Sequence, residues 1–101
     1  MNPKRMTRVI AGKRFNTDNA TLLADDVYWD GNNMERNGRN TFLYRTPKGN
    51  YFKVVLTQWQ GEFDDLIPIC LSEAQALYEG PLREHHVSYP LAFPGVDIED
   101  A

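Results

Sequence analysis

Few side chains in this sequence combine the residue types and the spacing that catalysis or metal binding needs. The only two histidines, His85 and His86, are adjacent. Neighbouring residues of a strand point to opposite faces, so this pair needs distant ligands such as Asp97 or Glu99 to hold one metal ion. We therefore interpret His85 and His86 as solvated or capping side chains, with a metal site as the less favoured alternative.

The other candidate catalytic groups also have simpler interpretations. Cys70 falls in an apolar run of strand length, Leu66–Leu71, where a cysteine is expected to be a small buried hydrophobic residue. Asp25-Asp26 and Asp64-Asp65 are neighbouring carboxylates of the kind that is usually solvated. The sequence contains no phosphate-binding loop, dinucleotide fingerprint, nucleophile elbow or zinc-protease motif. It predicts neither an enzyme nor a bound cofactor or metal.

Basic and aromatic residues on one predicted hairpin face indicate binding instead. The residues of this face that could contact a partner are Arg45, Tyr51, Lys53 and Trp59. Such a face could stack nucleic-acid bases and contact phosphates, or meet a protein, because Trp, Tyr and Arg contribute much of the energy at interfaces. The alternative is that Tyr51 and Trp59 lie under a helix or the C-terminal tail as a second layer of core.

The charge distribution distinguishes the two halves of the chain. Residues 1–53 hold ten Lys and Arg against five acids, a balance of +5, whereas residues 54–101 hold one Arg against nine acids, a balance of −8. Residues 1–17 contain no acid. The simpler explanation of this asymmetry is that the two halves attract each other in the folded domain. The more specific explanation is that they form two surfaces of opposite electrostatic potential. The pI of about 5.2 is low for a nucleic-acid-binding domain.

A β-hairpin is the clearest structural element. Thr41–Arg45 and Tyr51–Trp59 are rich in β-branched and aromatic residues. Between them, Pro47 suits the start of a type I turn and Gly49 the left-handed position that follows. Pairing the residues on either side of this turn sets the register. One face is then apolar enough to form the core: Phe42, Tyr44, Phe52, Val54 and Leu56.

Two further segments are expected to join this hairpin. Arg8–Phe15 has the composition of a short strand or bend, with Gly12 marking a turn or a bulge. Leu66–Leu71 is predicted to be a strand. Pro68 places that strand at a sheet edge, because proline has no amide hydrogen to donate to the ladder.

Apolar spacing and capping residues predict two short helices. The first covers Asp18–Asp26, where apolar residues recur with helical period at Ala20, Leu23, Ala24 and Val27. The second begins with the capping-box pattern Ser72-Glu73-Ala74-Gln75 and ends at Gly80-Pro81. Ser88-Tyr89-Pro90 adds a cap and one helical turn, and Pro94-Gly95 a turn.

Together these elements predict an α+β fold: a small antiparallel sheet centred on the 41–60 hairpin, with two short helices packed mainly on one face. A chain of 101 residues is enough for one domain. Residues 1–7 are expected to be a loose basic arm, and residues 8–101 a single domain with a proline-bounded C-terminal tail. No apolar run approaches the roughly 18 residues of a membrane span, and the single cysteine permits no internal disulfide, so we expect a cytoplasmic protein.

Three stretches of the sequence are similar to one group of proteins. They are Lys13-Arg14-Phe15-Asn16-Thr17, the segment from Leu43 to Phe52, and the Pro68 strand that leads into Ser72-Glu73-Ala74. The chain resembles small uncharacterised proteins of bacterial phages, plasmids and integrative elements, with the pattern K-R-Y-D-T-E-T-A, L-Y-R-T-K-K-G-x-Y-F and I-P-L-S-E-E-E-A. The resemblance covers about residues 8–80 and implies a mobile-element origin and a shared fold. It implies no catalytic residue.

The sequence thus predicts a non-enzymatic binding protein of a mobile genetic element, acting on a host defence or regulatory complex through a partner with an acidic surface. The alternative is a nucleic-acid-binding accessory domain that uses the basic and aromatic hairpin face. A homodimer through an edge strand is a further expectation, because a free strand edge can pair with a second chain.

Overall fold

A β-hairpin in the middle of the chain organises the structure. The computed structural model describes residues 5–26, 39–57, 61 and 64–96. Within these ranges the elements are β1 (Thr7–Ile10), β2 (Lys13–Asn16), β3 (Thr21–Asp25), β4 (Arg39–Arg45), β5 (Tyr51–Thr57), β6 (Asp65–Ile69), α1 (Leu71–Glu79), β7 (Glu84–His85) and α2 (Tyr89–Ala92). The predicted α+β fold, with an antiparallel sheet and two short helices, is confirmed.

Strands β4 and β5 form the predicted hairpin in the predicted register. Phe42 lies opposite Val54, and Tyr44 lies opposite Phe52. The turn closes because Thr46 N–H donates to the Asn50 carbonyl at 2.8 Å, and Gly49 adopts the left-handed φ of 88° that its position requires. The hairpin lies inside a five-stranded antiparallel sheet of order β6-β5-β4-β3-β7.

The segment 18–26 is a correction, because β3 replaces the predicted helix. Its pairing with β4 shifts register between Leu22 and Ala24, which marks a β-bulge at Leu23. A bulge breaks the alternation of faces, so Leu23 and Ala24 both pack in one core cluster while Leu22 packs against the other. The resulting spacing of apolar residues is the same as that of an amphipathic helix. The segment is a strand because its backbone pairs with β4.

The N-terminal segment forms a second hairpin, β1–β2, that is separate from the five-stranded sheet. Ala11 and Gly12 make its two-residue turn with φ of 53° and 77°, which confirms the turn expected at Gly12. The expectation that this segment joins the main sheet is wrong. It instead covers one face of the sheet, where the Phe15 ring packs edge-on to Phe52 with centroids 5.6 Å apart. Within the predicted loose arm, Thr7 already pairs with Asn16.

Both faces of the main sheet are covered, by different elements. The hairpin β1–β2 covers the predicted core face, and its buried cluster contains Phe15, Phe42, Tyr44, Phe52, Val54, Leu56 and Leu66. Helices α1 and α2 share the other face, and its buried cluster contains Leu23, Ala24, Leu43, Tyr51, Ala74, Tyr78, Leu82, Ala92 and Phe93. No helix among the described residues has the length and apolar character needed to cross a membrane.

The end of α1 and the start of α2 agree with the sequence prediction, whereas the start of α1 does not. Gly80 ends α1, and α2 follows Ser88 as a single turn. The capping box at Ser72 is wrong: α1 begins at Leu71 with Cys70 as its N-cap and has no side-chain cap hydrogen bond. The Ser72 hydroxyl lies instead 3.3 Å from the Cys70 sulfur.

Strand β6 forms an edge of the sheet, as Pro68 predicts. Pro68 lies opposite Phe52 and Leu66 opposite Val54, so the backbone groups of both residues point away from β5. Leu66 N–H donates to Asp65 Oδ1 at 2.9 Å, and the Leu66 carbonyl accepts from Arg8 Nη1 at 3.1 Å. Because Pro68 has no N–H, this edge offers almost no free donor to a further strand.

Candidate functional site

Of the four residues predicted as a binding face, the structure describes Arg45, Tyr51 and Lys53, and it places Tyr51 in the core. Tyr51 is buried with 9% of its surface exposed, and its hydroxyl donates to the Ala92 carbonyl at 3.0 Å. Its ring centroid lies 5.4 Å from that of Phe93. Tyr51 therefore belongs to the second core layer, which corrects its assignment to an exposed face. Trp59 lies outside the described residues.

The two cations of that predicted face also lie against other parts of the fold. Lys53 Nζ lies 3.2 Å from Glu73 Oε2 and links β5 to α1. Arg45 is partly buried, and its Nε has no hydrogen-bond partner within the described parts of the chain. For Tyr51 the alternative interpretation, a second core layer under a helix, is the correct one, because residues of α1 and α2 pack on this face.

A basic groove lies instead at the turn end of the hairpin. It separates β2 from the β4–β5 turn and has a volume of about 410 Å³. Its polar lining consists of three cations, three amides and a hydroxyl: Lys13, Arg14, Lys48, Asn16, Asn19, Asn50 and Thr46. The packing of Phe15 on Phe52 brings the two walls together, since it holds β2 against the sheet. We call this feature the basic groove.

The cations of the basic groove are not neutralised by the parts of the protein that the structure describes. Lys13, Arg14 and Lys48 form no ion pair there, and no carboxylate lines the groove. Three other described cations are paired: Arg5 with Asp18, Arg8 with Asp65, and Lys53 with Glu73. Three like charges left unpaired around one concavity create a positive potential that attracts anions.

Strand β2 contributes backbone groups to the same groove. In a hairpin with a two-residue turn, the residues flanking the turn form a hydrogen-bonded pair, here Ile10 and Lys13. The next pair, Val9 and Arg14, is then non-hydrogen-bonded, so the N–H and C=O of Arg14 point to the free edge. Asn16 lies two residues after Arg14, so its N–H also points to the free edge. Its carbonyl accepts a hydrogen bond from Asn19 N–H at 3.2 Å.

The basic groove had a partial signal in the sequence. The absence of acids from residues 1–17 marked the β2 wall as positive. No pattern indicated that Lys48, in the turn of another hairpin, would face it. The contact between the walls is a matter of tertiary packing and has no local signature.

The two histidines contact different partners. His85 stacks on Tyr78 with ring centroids 3.8 Å apart, and its Nε2 donates to the Tyr78 carbonyl at 2.8 Å. His86 Nε2 lies 2.6 Å from Asp25 Oδ2. Burial of Tyr78 raises the pKa of its hydroxyl, which donates to the Val87 carbonyl at 2.6 Å. Across the described residues, no three His, Cys, Asp or Glu side chains group closely enough to hold a metal ion.

Cys70 is exposed, which corrects the prediction that it is buried within a strand. Strand β6 ends at Ile69, so Cys70 lies in the junction with α1 and not in the ladder. The hydrogen bond with the Ser72 hydroxyl lowers the pKa of its thiol.

Comparisons with family models, with curated proteins and with solved structures show no match to this chain.

Proposed function

We propose that this chain is a non-enzymatic binding protein that receives an acidic surface of a partner protein in the basic groove. The observation that carries the proposal is the set of three cations, Lys13, Arg14 and Lys48, that face one groove without an ion-pair partner among the described residues. Charge and hydrogen bonding are what this lining offers a ligand.

The charge of the whole chain supports an oriented encounter. The half that contains the groove has a balance of +5, and residues 54–101 have a balance of −8. All residues that line the basic groove belong to the positive half, so the groove attracts an acidic partner and raises the rate of productive collisions.

Nucleic acid is the weaker candidate for the same groove. Its case in the sequence rested on Tyr51 and Trp59 as stacking platforms. Tyr51 is buried, and the one aromatic residue that lines the groove, Phe15, is 5% exposed. Single-strand binders gain much of their affinity from bases stacked on exposed aromatic rings. A protein partner therefore fits this lining better.

The resemblance to phage and plasmid proteins extends the proposal to a host defence or regulatory complex in the cytoplasm as the source of the acidic surface. A homodimer through β6 is not included in it. The outward donor of Leu66 is already used and Pro68 has none, so that edge offers a second copy little to pair with.

Charge reversal in the groove tests the proposal. We expect poly-L-glutamate to bind the native chain at about 50 mM salt and to weaken as salt rises, because exposed charges are screened. The triple variant Lys13→Glu/Arg14→Glu/Lys48→Glu should lose at least tenfold in affinity, and Arg83→Glu, outside the groove, should not. Circular dichroism shows that both variants fold. Failure of the polymer to bind, or stronger binding of single-stranded DNA, would contradict the proposal.

A further inference from the structure

We propose that the basic groove takes an extended acidic peptide segment, which adds as a third strand to the free edge of β2. This inference rests on the proposed function and specifies how the partner binds. A segment in this position runs between β2 and the β4–β5 turn, with main-chain hydrogen bonds on one side and cations on both. Such strand addition is a common mode of peptide recognition.

The outward backbone groups of β2 can pair with a further strand, in addition to the attraction that its cations exert. Arg14 presents both an N–H and a C=O to the free edge, and Asn16 presents its N–H two residues further on. A neighbouring strand offers donors and acceptors to such an edge at this two-residue spacing. Phosphate oxygens only accept hydrogen bonds, so a nucleic-acid backbone leaves the Arg14 carbonyl without a donor.

The side chains around that edge select acidic residues. Lys13 and Arg14 lie on β2 itself, and Lys48 lies on the opposite wall. Successive side chains of an extended peptide point to opposite sides, so carboxylates can meet cations on both walls. The groove volume of about 410 Å³ falls within the range of roughly 300–1,000 Å³ typical of ligand sites, which suits a few residues of such a segment.

The outer edges of β6 and β1 are less suited to this ligand. The edge of β6 is capped by Asp65 and Arg8. The outer side of β1 opens on a cleft that Thr7 and Arg8 share with Asp64 and Asp65. Those carboxylates repel an acidic strand, whereas the lining of the basic groove contains none.

Two matched peptides separate strand addition from charge attraction. The probe is an acetylated and amidated heptapeptide that alternates pairs of Glu with pairs of Thr, so that its carboxylates point to both sides of the extended chain. Its counterpart has the same charges and N-methyl groups on alternate amides, which removes the donors on one edge. We expect the N-methylated peptide to bind about tenfold more weakly, the loss that one or two hydrogen bonds produce. Amide exchange should show slowing at Arg14 N–H with the unmodified peptide alone.

A pair of variants makes the same distinction on the protein. Arg14→Gln and Arg14→Pro remove the same charge, but only proline removes the outward N–H. That N–H is not part of the β1–β2 ladder, so an edge strand tolerates the change. Arg14→Pro should bind the unmodified peptide several-fold more weakly than Arg14→Gln. If Arg14→Pro does not fold, the two peptides still decide the question on the native chain.

The outcomes separate this inference from the proposed function. Equal binding of both peptides, with loss in the triple charge-reversal variant, keeps the acidic partner and rejects strand addition. Absence of binding by both peptides and by poly-L-glutamate rejects both proposals. A twelve-residue oligothymidine that binds more tightly than the peptides, and slows no β2 amide, assigns the groove to nucleic acid.

Discussion

His86 Nε2 lies 2.6 Å from Asp25 Oδ2 and joins the segment after α1 to β3, the strand next to the β7 edge of the sheet. The Asp25 side chain is 7% exposed and that of His86 is 45% exposed. The backbone supports the contact, because His86 N–H donates to the Leu23 carbonyl at 2.9 Å. Strand β7 has only two residues, Glu84 and His85, and the contact of His86 with Asp25 extends its attachment to β3 by one residue.

His86→Ala is therefore expected to lower the free energy of unfolding by about 1.5 kcal/mol, the lower end of what a hydrogen bond to a charged group contributes. Urea denaturation followed by circular dichroism measures the change. Arg83→Ala is the matched control, since an exposed side chain without such a contact should change stability by less than about 0.5 kcal/mol. A loss for His86→Ala no larger than that of the control would show that the contact contributes nothing.

Tyr51 provides a test of the second core layer. Tyr51→Phe keeps the ring against Phe93 but removes the hydrogen bond to the Ala92 carbonyl, so we expect a loss of about 1 kcal/mol. Tyr51→Ala also leaves a cavity and should cost roughly 3–5 kcal/mol. Thermal melts of the two variants give the comparison. Equal and small effects would instead place the ring at the surface.

Local chemistry explains why the turn and the register of the central hairpin could be predicted correctly. Pro47 and Gly49 determine the turn. The large apolar side chains at every second position, Phe42 and Tyr44, identify the core face of the strand. The bulge at Leu23 lacks such a signal, because it depends on which residues of β4 lie opposite. A period-based rule therefore assigned this strand to a helix.

The candidate site was hidden for a related reason. The alternation that correctly placed Tyr51 opposite Arg45 could not show that two helices would cover that face. The basic groove depends on the packing of the 7–16 hairpin over the sheet, which links residues more than thirty positions apart. The charge bias of the N-terminal residues was visible, but its counterpart at Lys48 was not.

The Arg5–Asp18 pair gives a prediction for acid pH. The hydrogen bond from Arg5 holds the pKa of the Asp18 carboxyl below its ordinary value of 3.8. Because the folded-state pKa is depressed, the pair stabilises the fold above the ordinary value, and this contribution is lost as pH falls through the folded-state pKa. A carboxyl-carbon NMR titration should show Asp18 titrating at higher pH in Arg5→Gln than in the native chain. Coincident curves would mean that the pair does not form in solution.

Strand β6 gives the last prediction, on self-association. Its outward backbone groups are Leu66, whose N–H and C=O are both occupied, and Pro68, which lacks an N–H. We expect that the native chain does not dimerise through this edge. Pro68→Thr supplies a donor and Arg8→Ala frees the Leu66 carbonyl, so the double variant recreates the pairing groups of an open edge strand.

Sedimentation equilibrium over a concentration series measures the effect of opening the β6 edge. The double variant should associate at least tenfold more tightly than the native chain, because it gains main-chain hydrogen bonds with a second copy. Arg83→Ala serves as the control for loss of a positive charge at an exposed position. A native dimer in which the outward amide of Leu66 exchanges more slowly than in the monomer would contradict the expectation that this edge is closed. A double variant that stays as monomeric as the control would show that Arg8 and Pro68 do not protect this edge.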